Sequence, residues 1–341
     1  MIGGDSRKMN VYIIKMPLQT CPKICDINSV NKNSTLVDTS CRPRVNIAPF
    51  SQIIGIELMK IKATKRLTQK IVKHISQKHC AAWREQSSRV ARKSIRQFIK
   101  NFAVDWRKAS KCQGLSLVDC SRQYKSLNSF FGRSIYPKPS TSISSSNIIV
   151  SPAQCRMVAF DTVTHAKKIW VKSQQFSVRK LLDDSCEPTA YNNCSMAIFR
   201  LAPADYHRFH SPVEGTILKH HIVNDGTYYS VDPKIVNSSI DVLGENKREI
   251  LYIKTKYFGI VAFVIVGATC VGSIKLSKNS KIHGEVKLVD YLGKFAFGGS
   301  TIVMLLPSGK ATFCPIYLNN SKRKTETLVD VGDPVAKFTK T

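Results

Sequence analysis

Two histidines three residues apart, His207 and His210, stand in the stretch Asp205-Tyr206-His207-Arg208-Phe209-His210-Ser211-Pro212. Imidazoles titrate near neutral pH, so such a pair beside Asp205 and Arg208 can do acid–base work. The same pair is as readily structural or simply exposed. A second stretch, Phe295-Ala296-Phe297-Gly298-Gly299-Ser300-Thr301, puts a serine after two glycines. The glycines leave its backbone with little steric cover, which suits either a nucleophile or a tight turn. It is not the hydrolase G-x-S-x-G elbow, because Ile302 occupies the last glycine position. A third stretch, Val266-Gly267-Ala268-Thr269-Cys270-Val271-Gly272-Ser273-Ile274, reads only as close-packed strands.

These residues need a scaffold, and 341 residues with 43% hydrophobic content can supply one large domain or two modest ones. The chain carries 52 Lys+Arg against 23 Asp+Glu, a net charge of +29, so an anionic partner is expected. The eleven cysteines are scattered and the closest spacing, Cys21 to Cys25, lacks a matching second pair, so no metal site is expected. The expected state of the thiols is reduced and mostly buried. No apolar h-region of a signal peptide is visible at the start. The run Tyr257 to Ile274 is apolar but broken by glycines, and it reads as two buried strands around Gly267 rather than a membrane span.

The periodicity divides the chain into four parts. Residues 1–55 are polar and irregular, expected as a poorly ordered extension. Residues 56–135 form a basic helical, membrane-proximal region. There Ala91, Ile95, Phe98, Phe102 and Trp106 repeat at helical spacing, as do Leu67, Ile71 and Ile75. Between Lys60 and Lys108 stand 15 Lys+Arg and two acids, Glu85 and Asp105. Basic amphipathic helices suit an anionic membrane surface, and equally a face packed on the protein with solvated charges. Nucleic acid is disfavoured as a partner, since no recognisable motif for it is present. Residues 136–148 are Pro- and Ser-rich and read as a linker. From 149 to 341 the period is mainly two. Strands are expected at Ile149–Val150, Met157–Phe160, Lys168–Val171, Ala197–Leu201, Thr216–Lys219, Ile250–Thr255, Gly259–Val266, Lys287–Leu292 and Thr301–Leu306. The fold class is therefore α+β: a basic N-terminal helical segment followed by a β-rich, barrel- or sandwich-like body.

Taken in order, the segments resemble the phosphatidylserine decarboxylases, most of all their eukaryotic, fungal-like branch. The resemblance runs through Ser94-Ile95-Arg96-Gln97-Phe98-Ile99, Asn128-x-Phe130-Phe131-x-Arg133, Ser151-Pro152-Ala153, Trp170-Val171-Lys172 with Phe176-Ser177, and Phe199-Arg200-Leu201-Ala202-Pro203. It continues through the histidine stretch, Glu245-Asn246-Lys247-Arg248, the V-G-A-x-x-V-G-S-I stretch, G-G-S-T and Gly332-Asp333-Pro334. No calcium-binding or C2 module is recognisable.

The resemblance implies a proenzyme that cuts itself between Gly299 and Ser300, leaving a small chain of 42 residues from Ser300 to Thr341. Ser300 then becomes a covalent pyruvoyl group, with neither pyridoxal phosphate nor metal required. Joined to the substrate amine as a Schiff base, that carbonyl is the electron sink for loss of CO₂. The resemblance makes His210 the base for Ser300 and His207 the residue acting on substrate. Asp205, Arg208, Gly298 and Gly299 are supporting residues. It also implies phosphatidylserine in an anionic membrane surface as partner, association of the small and large chains, and an intracellular, peripheral membrane location. A homodimer is left open.

One departure stands out. The carboxylate that completes the family's triad falls at Gln154, in Ser151-Pro152-Ala153-Gln154. A glutamine can still accept from an imidazole N–H and so hold its orientation, but it carries no charge to stabilise an imidazolium. Asp161 and Asp205 are the carboxylates that could substitute. Two readings follow: a self-processing decarboxylase, or a relative that does not mature and binds phospholipid or a protein partner.

Overall fold

A computed structural model describes residues 13–14, 87–136, 138–141, 145–171, 176–185, 188–223, 229, 241–268, 273–296 and 300–339. The extension to residue 55 apart from 13–14, the helical pattern at Leu67, Ile71 and Ile75, and Gly298 and Gly299 lie outside these residues.

Seven α-helices are described. They are α1 (Ser88–Phe102), α2 (Leu117–Arg122), α3 (Leu127–Phe131), α4 (Val163–Ile169), α5 (Val178–Leu182), α6 (Val242–Glu245) and α7 (Pro315–Lys322). Helix α1 buries Ala91, Ile95, Phe98 and Ile99 along one face and turns Arg89, Lys93 and Lys100 to solvent. It stops at Ala103, whose left-handed φ of 48° closes the last turn. The helical spacing therefore ends at Phe102. Trp106 sits in a separate 3₁₀ turn, yet both side chains still pack on the cluster of Phe98, Leu127, Phe130 and Phe131. Helix α3 begins with a reciprocal capping box, in which Ser126 accepts from Ser129 N–H and Ser129 accepts from Ser126 N–H.

The strands are β1 (Ile13–Ile14), β2 (Ile148–Val150), β3 (Cys155–Phe160), β4 (Ser195–Leu201), β5 (Arg208–His210), β6 (Gly215–Val223), β7 (Arg248–Lys254) and β8 (Ile260–Gly267). They continue as β9 (Ser273–Leu276), β10 (Glu285–Val286), β11 (Tyr291–Ala296), β12 (Ser300–Leu306), β13 (Ala311–Phe313), β14 (Glu326–Val329) and β15 (Pro334–Phe338). Nine form one sheet in the order β1-β14-β3-β4-β12-β8-β7-β6-β10, antiparallel except for the β1–β14 pair. Two three-stranded sheets, β5-β11-β9 and β13-β15-β2, accompany it. The chain is α+β with a β-rich body.

The centre of the large sheet explains the long apolar run. On β8, Ala262, Val264 and Val266 enter one core cluster, while Val261, Phe263 and Ile265 enter the other. On β12, Val303 and Leu305 take the first side and Ile302, Met304 and Leu306 the second. A strand covered on both faces needs no polar alternation, so it reads as continuous hydrophobicity. Among the described residues, no helix is long and apolar enough to cross a membrane.

Three local expectations change. Lys168–Val171 is not a strand: Thr162 caps α4 by accepting from His165 N–H, and Val163, Ala166 and Trp170 recur on one buried helical face. Lys287–Leu292 is a turn before a strand. Asp290 accepts from Lys287 N–H at 2.8 Å and β11 starts only at Tyr291. Cys112 and Cys120 form a disulfide, because the 3₁₀ turn and α2 bring their Cα atoms within 4.8 Å. Cys155 and Cys194 are buried free thiols.

Candidate active site

Ser300 is the first residue of β12, the middle strand of the large sheet. It pairs with Leu201 on β4 and Gly267 on β8 and is fully buried. Two chain paths bring the histidine stretch towards this strand end. Along one, Phe295 N–H donates to the His207 carbonyl at 3.0 Å, and Ser300 follows five positions later. Five residues span at most about 18 Å. Along the other, β4 ends at Leu201 and turns tightly. Asp205 N–H donates to Ala202 O at 2.9 Å, and the Asp205 carboxylate accepts from Ala202 N–H at 2.7 Å. The chain re-emerges as β5, paired with β11 through His210–Tyr291, Phe209–Gly293 and Arg208–Lys294.

Both imidazoles are held in one tautomer by backbone carbonyls. His207 Nδ1–H donates to Asp205 O at 2.9 Å, leaving its Nε2 as an acceptor. That Nε2 is buried and has no hydrogen-bond partner among the described residues. Its ring packs on Phe131 with centroids 3.8 Å apart. Burial pushes the His207 pKa down to about 3, outweighing the carbonyl bond, so the ring is neutral at physiological pH. His210 Nδ1–H donates to Val289 O at 2.8 Å, and its Nε2 accepts from the Tyr206 hydroxyl at 3.2 Å. Burial lowers its pKa too. Val289 is β-branched yet sits at φ 67°, a strained conformation that aims this carbonyl at His210.

The supporting residues fall differently from the sequence expectation. The Ser151–Gln154 segment does lie beside His210, whose N–H donates to Pro152 O at 2.9 Å. The Gln154 side chain turns elsewhere. Its Nε2 donates to Asp330 Oδ1 at 2.8 Å and its Oε1 accepts from Tyr206 N–H at 3.1 Å. The imidazole is therefore oriented by Val289 O and not by Gln154. Neither suggested substitute carboxylate bonds His210. Asp205 is held by Arg156 at 2.8 Å, and Asp161 is exposed. Arg208 ties β5 to the helical part: its Nε donates to Gly132 O at 3.1 Å and its guanidinium lies over the Tyr291 ring at 5.2 Å.

Just beyond Ser300, Arg200 on β4 stands opposite both Thr301 and Arg156. Glu326 receives the Arg200 guanidinium through two bonds, the Nε one at 2.7 Å, so the two cross-strand arginines each have a carboxylate. Thr301 Oγ1 is buried without a partner among the described residues. Sequence reasoning did not assign roles to Tyr206, Val289, Tyr124 or Arg133. Two of them stood in recognised stretches: Tyr206 within the histidine stretch, and Arg133 as the last residue of Asn128-x-Phe130-Phe131-x-Arg133. An open cavity of about 400 Å³ beside Arg179, Asp184 and Glu245 shares no lining residue with this site. Among the described residues, no cluster of His, Cys, Asp and Glu could hold a metal ion.

Comparison with known proteins fits this arrangement. The profile of the phosphatidylserine decarboxylase family matches residues 127–336. Phosphatidylserine decarboxylase proenzyme 2 of Komagataella phaffii is 45% identical over 230 residues, which cover 65% of this chain and 22% of that protein. The Saccharomyces cerevisiae proenzyme 2 is 42% identical over 249 residues, 72% of this chain and 21% of that protein. The chain thus spans roughly a fifth of the length of these fungal relatives. The Clostridium tetani proenzyme is 34% identical over 252 residues, covering 73% of this chain and 80% of that protein. With the family profile spanning more than half of the sequence and these relatives at 34–45% identity, the chain belongs to the phosphatidylserine decarboxylase family.

Proposed function

We propose that this chain matures by cutting itself between Gly299 and Ser300 and then converts phosphatidylserine to phosphatidylethanolamine and CO₂. The observation that carries the reading is a buried serine opening the central strand, five positions after Phe295, whose N–H is bonded to the backbone carbonyl of His207.

In the maturation, His210 Nε2 takes the Ser300 hydroxyl proton once the Tyr206 hydroxyl swings aside. The freed oxygen attacks the Gly299 carbonyl, the C–N bond breaks, and an ester forms with release of the Ser300 amine. Loss of the Ser300 Cα proton then expels Gly299 as a carboxylate. Water replaces the nitrogen, which departs as ammonia, so no oxidant is required. The His207 Nε2 fits a site built on Ser300, since a buried lone pair needs a partner and the described residues do not supply one. The pyruvoyl carbonyl supplies the electron sink that amino-acid decarboxylation requires. His207 holds an open acceptor for a substrate proton and returns it to the carbon that has lost CO₂. The packing of Phe131 on its ring excludes water from that step. Helix α1 presents Arg89, Lys93 and Lys100 to an anionic leaflet, where each contributes about 1 kcal/mol, so peripheral docking accompanies the reading.

The second reading, a relative that never matures, is favoured by the absence of a carboxylate bond to His210 among the described residues. Vesicles containing phosphatidylserine separate the two. The wild-type chain is expected to release CO₂ and accumulate phosphatidylethanolamine, and Ser300→Ala to do neither. A wild-type chain that cleaves but leaves phosphatidylserine intact would remove the substrate assignment.

A further inference from the structure

Arg133 is only 4% exposed, yet among the described residues no carboxylate forms an ion pair with its side chain. Its Nη2 donates to Ala204 O at 3.1 Å and reaches Asp205 O at 3.5 Å. Nε and Nη1 are buried and have no hydrogen-bond partner among the described residues. The nearby Asp205 carboxylate is already taken by Arg156. The guanidinium lies over the Phe130 ring at 5.0 Å, which fixes its plane. A buried cation left with free donors is costly unless an anion arrives to meet it.

Its neighbours define what that anion would meet. The Asp205 carbonyl that Arg133 approaches also accepts from His207 Nδ1, so the two side chains flank one atom. The Tyr124 hydroxyl is likewise buried without a partner, its charge interaction with Arg133 is felt, and its ring meets the edge of Phe130 at 5.2 Å. Two guanidinium nitrogens and one phenolic O–H therefore lack a partner among the described residues, and the guanidinium shares the Asp205 carbonyl with the imidazole assigned to the substrate.

A phosphatidylserine headgroup, which the proposed function takes as substrate, offers two anions. The carboxylate leaves as neutral CO₂. A cation gripping it would hold the ground state more tightly than the transition state and so oppose the reaction. The phosphodiester keeps its charge from binding to product release. Its oxygens can accept charge-assisted hydrogen bonds from the planar donor fork of an arginine, here from Nε or Nη1, which point to different sides of the guanidinium. We propose that Arg133, with Tyr124, binds the phosphodiester of the phospholipid headgroup and thereby sets the serine moiety against His207. Such binding is uniform along the reaction, so it governs KM and is shared by the product.

The test uses the uncut Ser300→Ala full chain and calorimetric titration, so it does not depend on maturation or decarboxylation. The probes are glycerophosphoethanolamine, which has the phosphodiester but no carboxylate, and free serine, which has the reverse. Arg133→Met is expected to lose at least about tenfold in affinity for glycerophosphoethanolamine, the scale of a charge-assisted hydrogen bond, with serine binding unchanged. Arg133→Lys, which keeps the charge but not the fork, should fall between. Unchanged affinity for glycerophosphoethanolamine, no measurable binding to the Arg133 chain, or selective loss of serine binding would each overturn the proposal. Thermal melts establish that each variant is folded. If Arg133→Met does not fold, Arg133→Lys and Tyr124→Phe carry the decision by the same criterion. In cleaved enzyme the same variants should raise KM about tenfold and leave kcat within about twofold. Loss of binding in a chain whose wild type never decarboxylates would sink the proposed function and leave this site standing.

Discussion

Gln154 is the position at which the orientation of His210 can be tested most sharply. Its side chain makes two bonds, one to Asp330 at 2.8 Å and one from Tyr206 N–H at 3.1 Å, and neither touches the imidazole. Truncation in Gln154→Ala loses those two bonds, each worth about 1 kcal/mol. Self-cleavage should therefore slow by no more than about thirtyfold, the factor that corresponds to about 2 kcal/mol. A residue that held the imidazole as a triad carboxylate does would cost about 10⁴. Gln154→Asp is informative in the opposite direction. It places a second carboxylate beside Asp330 and removes the donor between them. At 4 Å two like charges repel by about 1 kcal/mol in water and about 4 kcal/mol at an effective dielectric of 20. Because Asp330 is exposed, the lower figure applies. Gln154→Asp alone should then gain no cleavage, whereas Gln154→Asp with Asp330→Asn should recover any gain a carboxylate can give. The assay is the first-order conversion of pulse-labelled full-length chain to two fragments on denaturing gels. A fall of 10³ or more in Gln154→Ala, or acceleration by Gln154→Asp alone, would refute the assignment of orientation to Val289.

Other consequences can be checked independently. His207 binds its proton far less readily folded than unfolded, near pKa 3 against 6.5, so the unfolded chain takes up more protons between those values. Stability present above pH 6.5 should be lost as pH falls towards 3, by up to about 1.4 kcal/mol per pH unit from this group, and His207→Phe should flatten that slope in denaturant titrations. The lowered pKa of His210 keeps its base form available below pH 6.5, so the acid limb of the cleavage rate should lie below that of free imidazole. Glu326→Ala removes the carboxylate that receives the Arg200 fork in a buried setting and should destabilise by about 3 kcal/mol, read as a shift in urea midpoint. At Gly293 an added Cβ would come within 2.6 Å of both Lys275 O and the Phe209 ring. Gly293→Ala should push β11 off β5, destabilise by about 1–3 kcal/mol and slow cleavage along with stability.

Much of this was legible from the residues. The spacing of Ala91, Ile95 and Phe98 identified the buried face of α1, and the short apolar runs of β4 and β12 identified strands of the sheet. The continuous run in β8 was readable because glycines interrupt it. What escaped depended on contacts between distant parts. Lys168–Val171 holds the β-branched and aromatic residues of a strand, but a cap at Thr162 and the buried Trp170 make it the end of a helix. Gln154 sits where the motif order predicts, yet its side chain follows Asp330, which is far away in sequence. Val289 belongs to no motif, and it acts through a carbonyl, which every residue possesses. Arg133 was visible as a motif residue, but its open donors emerge only when burial and the Arg156–Asp205 pair are both known.

The central claim is that Ser300 cuts the chain without a carboxylate on His210. The most direct measurement is the intact mass of the purified protein after denaturation. The account predicts two chains, one ending at Gly299 and one of 42 residues from position 300 to Thr341 beginning with a pyruvoyl group. Their summed mass should reflect the gain of one water and the loss of one ammonia. A single uncut chain after prolonged incubation would contradict it.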